Sequence, residues 1–139
     1  MSRFIFALFL SVLVFSVPVQ AQEPIPFFPG LSAEERAEVP NGPFELCDRH
    51  FGSLALAYRE ITNDLYMPMI DEDELYEYYE DYESGRTFIL AKSNFEAYPT
   101  ILCKEIVKQG QKTFKSVTMF CGASQEICAR LQEAIDGQL

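Results

Sequence analysis

The residues best suited to chemistry lie in the segment DEDELYEYYEDYES, residues 71–84. Eight of its first thirteen residues are acidic, four are tyrosine and none is basic. Carboxylates suit calcium, but an EF-hand loop requires glycine at its sixth position, and Tyr76 stands there. Carboxylates along a helix also point outward and apart rather than toward one ion. We therefore predict no metal site, and interpret the charge as a surface for a basic partner.

Catalysis has no candidate residue that the sequence supports. The single histidine, His50, falls outside the apolar stripe of its segment, as a surface histidine does. Cys47 lies nearby, but a disulfide-bonded cysteine has no thiolate to act as a nucleophile. The chain has no Gly-x-Ser-x-Gly motif, no metal-binding histidine spacing and no Gly-rich phosphate loop. We expect a protein that is not an enzyme and needs no cofactor.

The N-terminus has the pattern of a secretory signal peptide, residues 1–21. Arg3 precedes an apolar run over residues 4–17, and Val19-Gln20-Ala21 places small residues at the two positions that a signal peptidase reads. The run is short for a membrane span of about 20 residues. Removal of the first 21 of 139 residues leaves 118, enough for one domain. The predicted location is periplasmic or secreted.

Four cysteines follow the signal peptide, and an even number in an exported chain predicts two disulfides. Cys121 and Cys128 are close enough for a local staple, which leaves Cys47 with Cys103 to close a loop of more than fifty residues. The alternative joins Cys103 to Cys121 across a hairpin near Gly110, and Cys47 to Cys128. The first pairing is slightly preferred.

The charge is large and unevenly distributed. The formal net charge of the chain is −10, and residues 22–83 hold 16 acids against 3 bases. Residues 84–139 hold 5 acids and 7 bases, and no base lies between Arg59 and Arg86. Such a chain is unsuited to nucleic acid, whose phosphates need cations, and equally to an anionic membrane. The predicted partner is a basic protein.

Residues 22–43 form a proline-rich arm that precedes a single domain over residues 44–139. Five prolines favour extended backbone. Ser32 and Glu35 form a capping box before a short helix over about 33–39. We expect Phe27 and Phe28 to pack back onto the domain. After Pro43, apolar residues at spacings of three and four predict a first long helix up to Pro68; they are Cys47, Phe51, Leu54, Tyr58, Ile61 and Leu65.

A helix is also predicted for the acidic segment, from Asp71 as N-cap to Gly85 as C-terminal stop. Leu75 and three of the tyrosines, 78, 79 and 82, then share an inner face. The opposite face holds the four acids that we predict to bind the partner: Asp73, Glu77, Glu80 and Asp81. The alternative is a solvated face partly neutralised by a row of lysines, Lys104, Lys108 and Lys112.

The remaining chain completes an all-α prediction. A helix begins at Pro99 and ends at Gly110, and a last one begins after Ser124 and ends at Gly137 with Ile127, Cys128, Leu131 and Ile135 inside. Residues 86–92 and 113–120 are ambiguous, and allow one short strand pair. The expected fold is a small helical bundle stapled by disulfides.

The functional expectation combines these features. An exported, acidic, disulfide-bonded binding protein is typical of inhibitors and immunity-type proteins that neutralise a basic partner, because complementary charge speeds association. The alternative is a periplasmic stress or chaperone-like protein, a class in which a disulfide joins two helices.

Overall fold

Three helices and seven strands make up the part of the chain that the computed structural model describes, residues 28–138. The predicted signal peptide and the first residues of the arm, including Phe27, lie outside this range. The elements in chain order are α1 (Ala33–Glu38), β1 (Phe44–Leu46), β2 (Arg49–Phe51), α2 (Leu54–Asn63), β3 (Met69–Glu72), β4 (Tyr76–Asp81), β5 (Arg86–Ala91), β6 (Thr100–Gln109), β7 (Lys112–Cys121) and α3 (Gln125–Asp136).

The all-α prediction is wrong. Five strands form one antiparallel sheet in the order β3-β4-β5-β6-β7, and β1 pairs with β2 in a separate hairpin. The two segments that the sequence allowed as a strand pair, 86–92 and 113–120, correspond to β5 and β7. They do not pair with each other, because β6 lies between them and pairs with both. The segment after Pro99 misled the helix prediction because Thr100 to Cys103 are all buried. A strand that is covered on both faces loses the alternation that distinguishes it from a helix.

The first long helix is wrong in its N-terminal half. Residues 44–51 form the β1–β2 hairpin, whose two turn residues, Cys47 and Asp48, have φ angles of 50° and 57°. Positive φ at both central residues is typical of the tight turns that match the twist of a hairpin. Ser53 is the N-cap of helix α2, and its hydroxyl accepts the Leu56 backbone N–H. The predicted apolar face of the helix is correct from Leu54 to Ile61, whereas Leu65 lies beyond the helix and is 93% exposed.

The core lies between one face of the five-stranded sheet and a cover made of α2 and the β1–β2 hairpin. Phe51 meets Phe88 edge to face, with 6.2 Å between the ring centroids. The disulfide between Cys47 and Cys103 fastens the hairpin turn to β6. Arg86 fastens the same turn, because its guanidinium donates to the Cys47 carbonyl at 2.7 Å.

Helix α3 follows β7 and is joined to it by the second disulfide, Cys121–Cys128. Both pairings are therefore those that the sequence favoured. The Ser124 hydroxyl accepts the Ile127 N–H, and the helix ends at Gly137, so the predicted last helix is confirmed. The four residues predicted to face inward are the half-buried ones of this helix: Ile127, Cys128, Leu131 and Ile135.

The described part of the arm packs on the domain. Helix α1 has the predicted capping box, with the Ser32 hydroxyl bonded to Glu35 N–H and the Glu35 carboxylate to Ser32 N–H. Phe28 is buried, and its ring lies edge to face with Tyr58 at 5.8 Å and with Tyr98 at 5.7 Å. The packing predicted for Phe28 is confirmed.

Candidate interaction surface at the β3 edge

The acidic segment forms a β-hairpin, so the helix predicted for it is wrong. Strand β4 pairs with β3 on one side and with β5 on the other. Like charges disfavour a helix over this segment, although the hairpin also places Glu72 opposite Glu77. On a helix, Asp73, Glu77 and Asp81 would be neighbours at i, i+4 and would repel. On a strand, residues four apart are separated by about 13 Å. We call residues 65–83, with eight acids and no base, the acidic edge.

The structure does not bring the four predicted partner-binding acids onto one face. Side chains alternate along a strand, and Glu77 and Asp81 lie on the same side of β4 as Tyr79. That side faces the core, because Tyr79 is opposite Phe88 and both are buried. Glu80 lies on the opposite side, and Asp73 lies in the turn before β4.

Asp73 holds the β3–β4 turn together. One carboxylate oxygen accepts the backbone N–H groups of Leu75 and Tyr76, both at 2.8 Å, and the other accepts the Tyr78 hydroxyl at 2.7 Å. The Tyr78 hydroxyl first, and then the two N–H groups, lower the pKa of Asp73 from its ordinary value. Burial and the bond to Asp73 raise the pKa of Tyr78 to about 12. Asp73 therefore has a structural role.

Asp81 stabilises the β4–β5 turn through hydrogen bonds of the same kind. Its carboxylate accepts the Ser84 hydroxyl at 2.7 Å and the Glu83 backbone N–H at 3.0 Å. Burial acts to raise the pKa of Asp81, but these hydrogen bonds outweigh it and the pKa is lowered. Glu77 accepts the Tyr79 hydroxyl at 2.9 Å. Within residues 28–138, Glu80 alone of the four has no side-chain hydrogen bond.

The lysine row does not neutralise these acids. In the described part of the chain, Lys104, Lys108 and Lys112 form no ion pair. Strand β5 stands between them and β4. The cation beside the β3–β4 turn is Lys92. Its Nζ lies 2.8 Å from a Glu72 carboxylate oxygen and 2.6 Å from the Asp73 carbonyl oxygen. The bond to Glu72 is the main cause of the raised pKa of Lys92.

Large apolar side chains are exposed at the acidic edge, which the sequence analysis did not predict. Leu65 is 93% exposed and Tyr82 66%, although both were expected to face inward. Tyr66 and Tyr82 are neighbours, since the Tyr82 N–H donates to the Tyr66 carbonyl at 3.3 Å. We call the five exposed apolar side chains of the acidic edge the apolar patch: Leu65, Tyr66, Met69, Ile70 and Tyr82. Its only sequence signal is the run YMPMI, in which apolar residues follow no helical or alternating period.

Strand β3 is an edge strand whose only neighbour is β4. All four of its residues are exposed, and its register is interrupted by a bulge between Met69 and Asp71. An edge strand presents unpaired backbone N–H and C=O groups, which can bond to an added strand from a partner. Apolar side chains, backbone groups and carboxylates thus meet at one surface.

The rest of the described molecule offers less for chemistry. A cavity of about 390 Å³ lies between the arm and the start of α3. Two of its carboxylates are already engaged, Glu35 in the capping box and Glu96 with Arg130 at 3.0 Å. No group of three or more His, Cys, Asp or Glu side chains in residues 28–138 is placed to hold a metal ion.

Comparison with protein families, curated proteins and solved structures found no match to this chain. None of the helices between residues 28 and 138 is long and apolar enough to cross a membrane.

Proposed function

We propose that this chain is an exported binding protein, of the inhibitor or immunity type, that captures a basic protein through the acidic edge. The observation that carries the proposal is the set of exposed apolar side chains on and beside the edge strand β3, in a segment with eight acids. Clustered exposed apolar side chains rimmed by polar groups are typical of interaction sites. The acids would attract and orient the partner, and the patch would supply the buried centre of the interface.

Within this surface the acids have different roles. Asp73, Glu77 and Asp81 support the turns and Tyr79, so we propose that they act chiefly by holding the edge in place. Three glutamates at the acidic edge have side chains without a hydrogen bond among the described residues: Glu74, Glu80 and Glu83. We propose that these three meet the basic groups of the partner, together with the backbone of β3.

The proposal is tested by capture from the native source with three immobilised proteins. The edge variant carries Glu74→Lys, Glu80→Lys and Glu83→Lys. The control variant carries Glu38→Lys, Glu60→Lys and Glu133→Lys, which make the same charge change at exposed positions outside the acidic edge. Wild type and control should retain the same basic protein, and the edge variant should lose it. Equal capture by all three would refute the proposal.

The exposed patch also supports the second candidate, a stress or chaperone-like protein. The layout that suggested it, two helices joined by a disulfide, is absent here, because Cys47–Cys103 joins a hairpin turn to a strand. A chaperone would hold unfolded chains through apolar contact rather than charge. Suppression of the aggregation of a heat-unfolded test protein should then fail in Ile70→Ser/Tyr82→Ser, and persist in the Glu→Lys edge variant.

A further inference from the structure

The opposite edge of the sheet carries the opposite charge. Strand β5 pairs with β6 only from Ile101 to Lys104, whereas β6 and β7 pair with each other as far as Gln109 and Lys112. The end of this hairpin therefore projects beyond the rest of the sheet. We call residues 104–116 the basic hairpin; they contain four lysines and one acid, Glu105.

The lysines of the basic hairpin have no ion-pair partner among the described residues, so they could bind a partner. Three of them lie on one face, since Lys104 is opposite Val117, Lys115 is opposite Ile106, and Lys108 is two residues beyond Ile106. None of the four forms an ion pair within residues 28–138. Ile106 is 65% exposed on the face of these three lysines, and Phe114 is 47% exposed on the opposite face with Lys112.

The outer edge of this hairpin is also open. Strand β7 is the last strand of the sheet. The contacts that cover it lie toward its C-terminal end, where Phe120 stacks on Phe44 and Cys121 is bonded to Cys128. Its first four residues, Lys112 to Lys115, are exposed. This free length equals that of β3, whose four residues are exposed too.

We propose that the basic hairpin of one copy docks on the acidic edge of a second copy, with the start of β7 beside β3. The inference rests on the proposed function, because it takes the acidic edge as an interface, and it names a second copy of this chain as an occupant. The four lysines would face the acidic edge, where Glu74, Glu80 and Glu83 are the free carboxylates among the described residues, and Ile106 and Phe114 would lie near Met69 and Ile70. The backbone groups of both edge strands would pair, as in strand addition.

Charge also selects the arrangement. Two acidic edges placed side by side would oppose eight acids to eight, and two basic hairpins would repel as well. A head-to-tail arrangement joins opposite charges. Such an interface uses different surfaces on the two copies, so a head-to-tail dimer leaves one acidic edge and one basic hairpin free, and copies add until a ring closes. Association would therefore continue beyond a dimer as concentration rises.

Neutralised variants test this arrangement by sedimentation equilibrium of the oxidised chain without the signal peptide. The acid variant carries Glu74→Gln, Glu80→Gln and Glu83→Gln, and the base variant carries Lys104→Gln, Lys108→Gln and Lys115→Gln. The wild-type mass should rise with concentration, and the association should weaken at least about tenfold between roughly 0.05 and 0.5 M salt. Each variant alone should associate at least about tenfold more weakly than wild type.

Mixing the two variants gives the decisive measurement. The base variant retains an intact acidic edge and the acid variant an intact basic hairpin, so a mixture contains one native interface. It should form a one-to-one complex and nothing larger. A matched variant with Glu38→Gln, Glu60→Gln and Glu133→Gln should behave as wild type, and circular dichroism should show every variant folded.

A wild type that stays monomeric up to about 1 mM at low salt would overturn the self-association, because its dissociation constant would then lie well above that concentration. So would association equal in wild type and both variants, or a wild-type mass that stops at the dimer. These results would leave capture of the basic protein by the acidic edge unaffected. Failure of that capture is measured separately with the Glu→Lys edge variant, so the two failures are distinguishable.

Discussion

Tyr58 joins helix α2 to two strands through a single oxygen atom. Its hydroxyl lies 2.9 Å from the carbonyl oxygens of Ala91 and Thr100, and accepts the Thr100 backbone N–H at 3.0 Å. Burial raises the pKa of Tyr58 well above its ordinary value, so the hydroxyl stays neutral and can donate. Ala91 and Thr100 are buried, so solvent does not reach the backbone groups that it bonds.

Replacement of Tyr58 by Phe should therefore be costly. The change removes the hydroxyl proton that the two carbonyls share and the acceptor of the Thr100 N–H, and we expect the free energy of unfolding to fall by about 1–3 kcal/mol. Tyr98→Phe is the matched control, because Tyr98 is buried in the same aromatic cluster but its hydroxyl has no hydrogen bond among the described residues. Urea denaturation measures both. Equal losses in the two variants would contradict the role given to the Tyr58 hydroxyl.

At the scale of single elements, carboxylates hold two of the tight turns, and a disulfide together with an arginine holds a third. Asp73 organises the β3–β4 turn and Asp81 the β4–β5 turn. The β1–β2 turn uses two residues with positive φ, neither of them glycine. Such backbone persists where surrounding contacts determine it. Here those contacts are the Cys47–Cys103 disulfide and the guanidinium of Arg86.

The β3–β4 turn should make stability depend on pH. The pKa of Asp73 is lowered from its ordinary 3.8 in the folded state, so the unfolded state binds the proton more tightly. The stabilisation is fully present above 3.8 and is lost as pH falls through the folded-state pKa. Asp73→Asn should flatten the fall of the melting temperature below that pH, whereas Glu60→Gln should not. A wild-type slope in the Asp73 variant would contradict this assignment.

The two disulfides should differ in their effect on stability. They join residues 56 and 7 positions apart. In the chain-entropy model, the longer loop contributes about 4 kcal/mol and the shorter about 2.5 kcal/mol. Replacing Cys47 and Cys103 by Ala should also release the β1–β2 turn, so that pair should lose more stability than the Cys121/Cys128 pair in urea denaturation. The reverse order would show that the hairpin is held by other contacts.

The whole molecule separates its charges across one sheet. The acidic edge carries eight acids and no base, and the basic hairpin carries four of the eleven basic residues. β5 lies between β4 and β6, and hydrogen bonds within the acidic edge hold its carboxylates locally. Neither edge therefore neutralises the other within one chain, which is the physical basis of both proposals.

Export is a prediction about the whole chain and has a direct measurement. Protein isolated from its native source should begin at Gln22, because signal peptidase would cleave after Ala21. Alkylation of the unfolded, unreduced protein should label none of the four cysteines, and labelling should appear only after reduction. An intact N-terminus together with free thiols would contradict the exported location, because disulfides persist mainly in oxidising compartments.

Local signals in the sequence were sufficient for some elements. The capping box of α1 and the cap, inner face and glycine stop of α3 were predicted correctly, because each depends on residues a few positions apart. The preferred cysteine pairing was also correct, since proximity along the chain favours the Cys121–Cys128 staple. Composition likewise located the acidic segment, although not its conformation.

The sheet and the surface were decided only by the tertiary structure. Strands β4 and β6 obtain their hydrogen bonds from the strands before and after them rather than from within their own segments, and burial on both faces removes the alternation that would reveal β6. Which carboxylates are free depends on contacts such as Tyr78 with Asp73, formed only once β4 is a strand. The apolar patch appears because β3 lies at the edge of the sheet with no strand beyond it. Sequence thus determined the charge of this surface, whereas strand pairing determined its shape and its exposed groups.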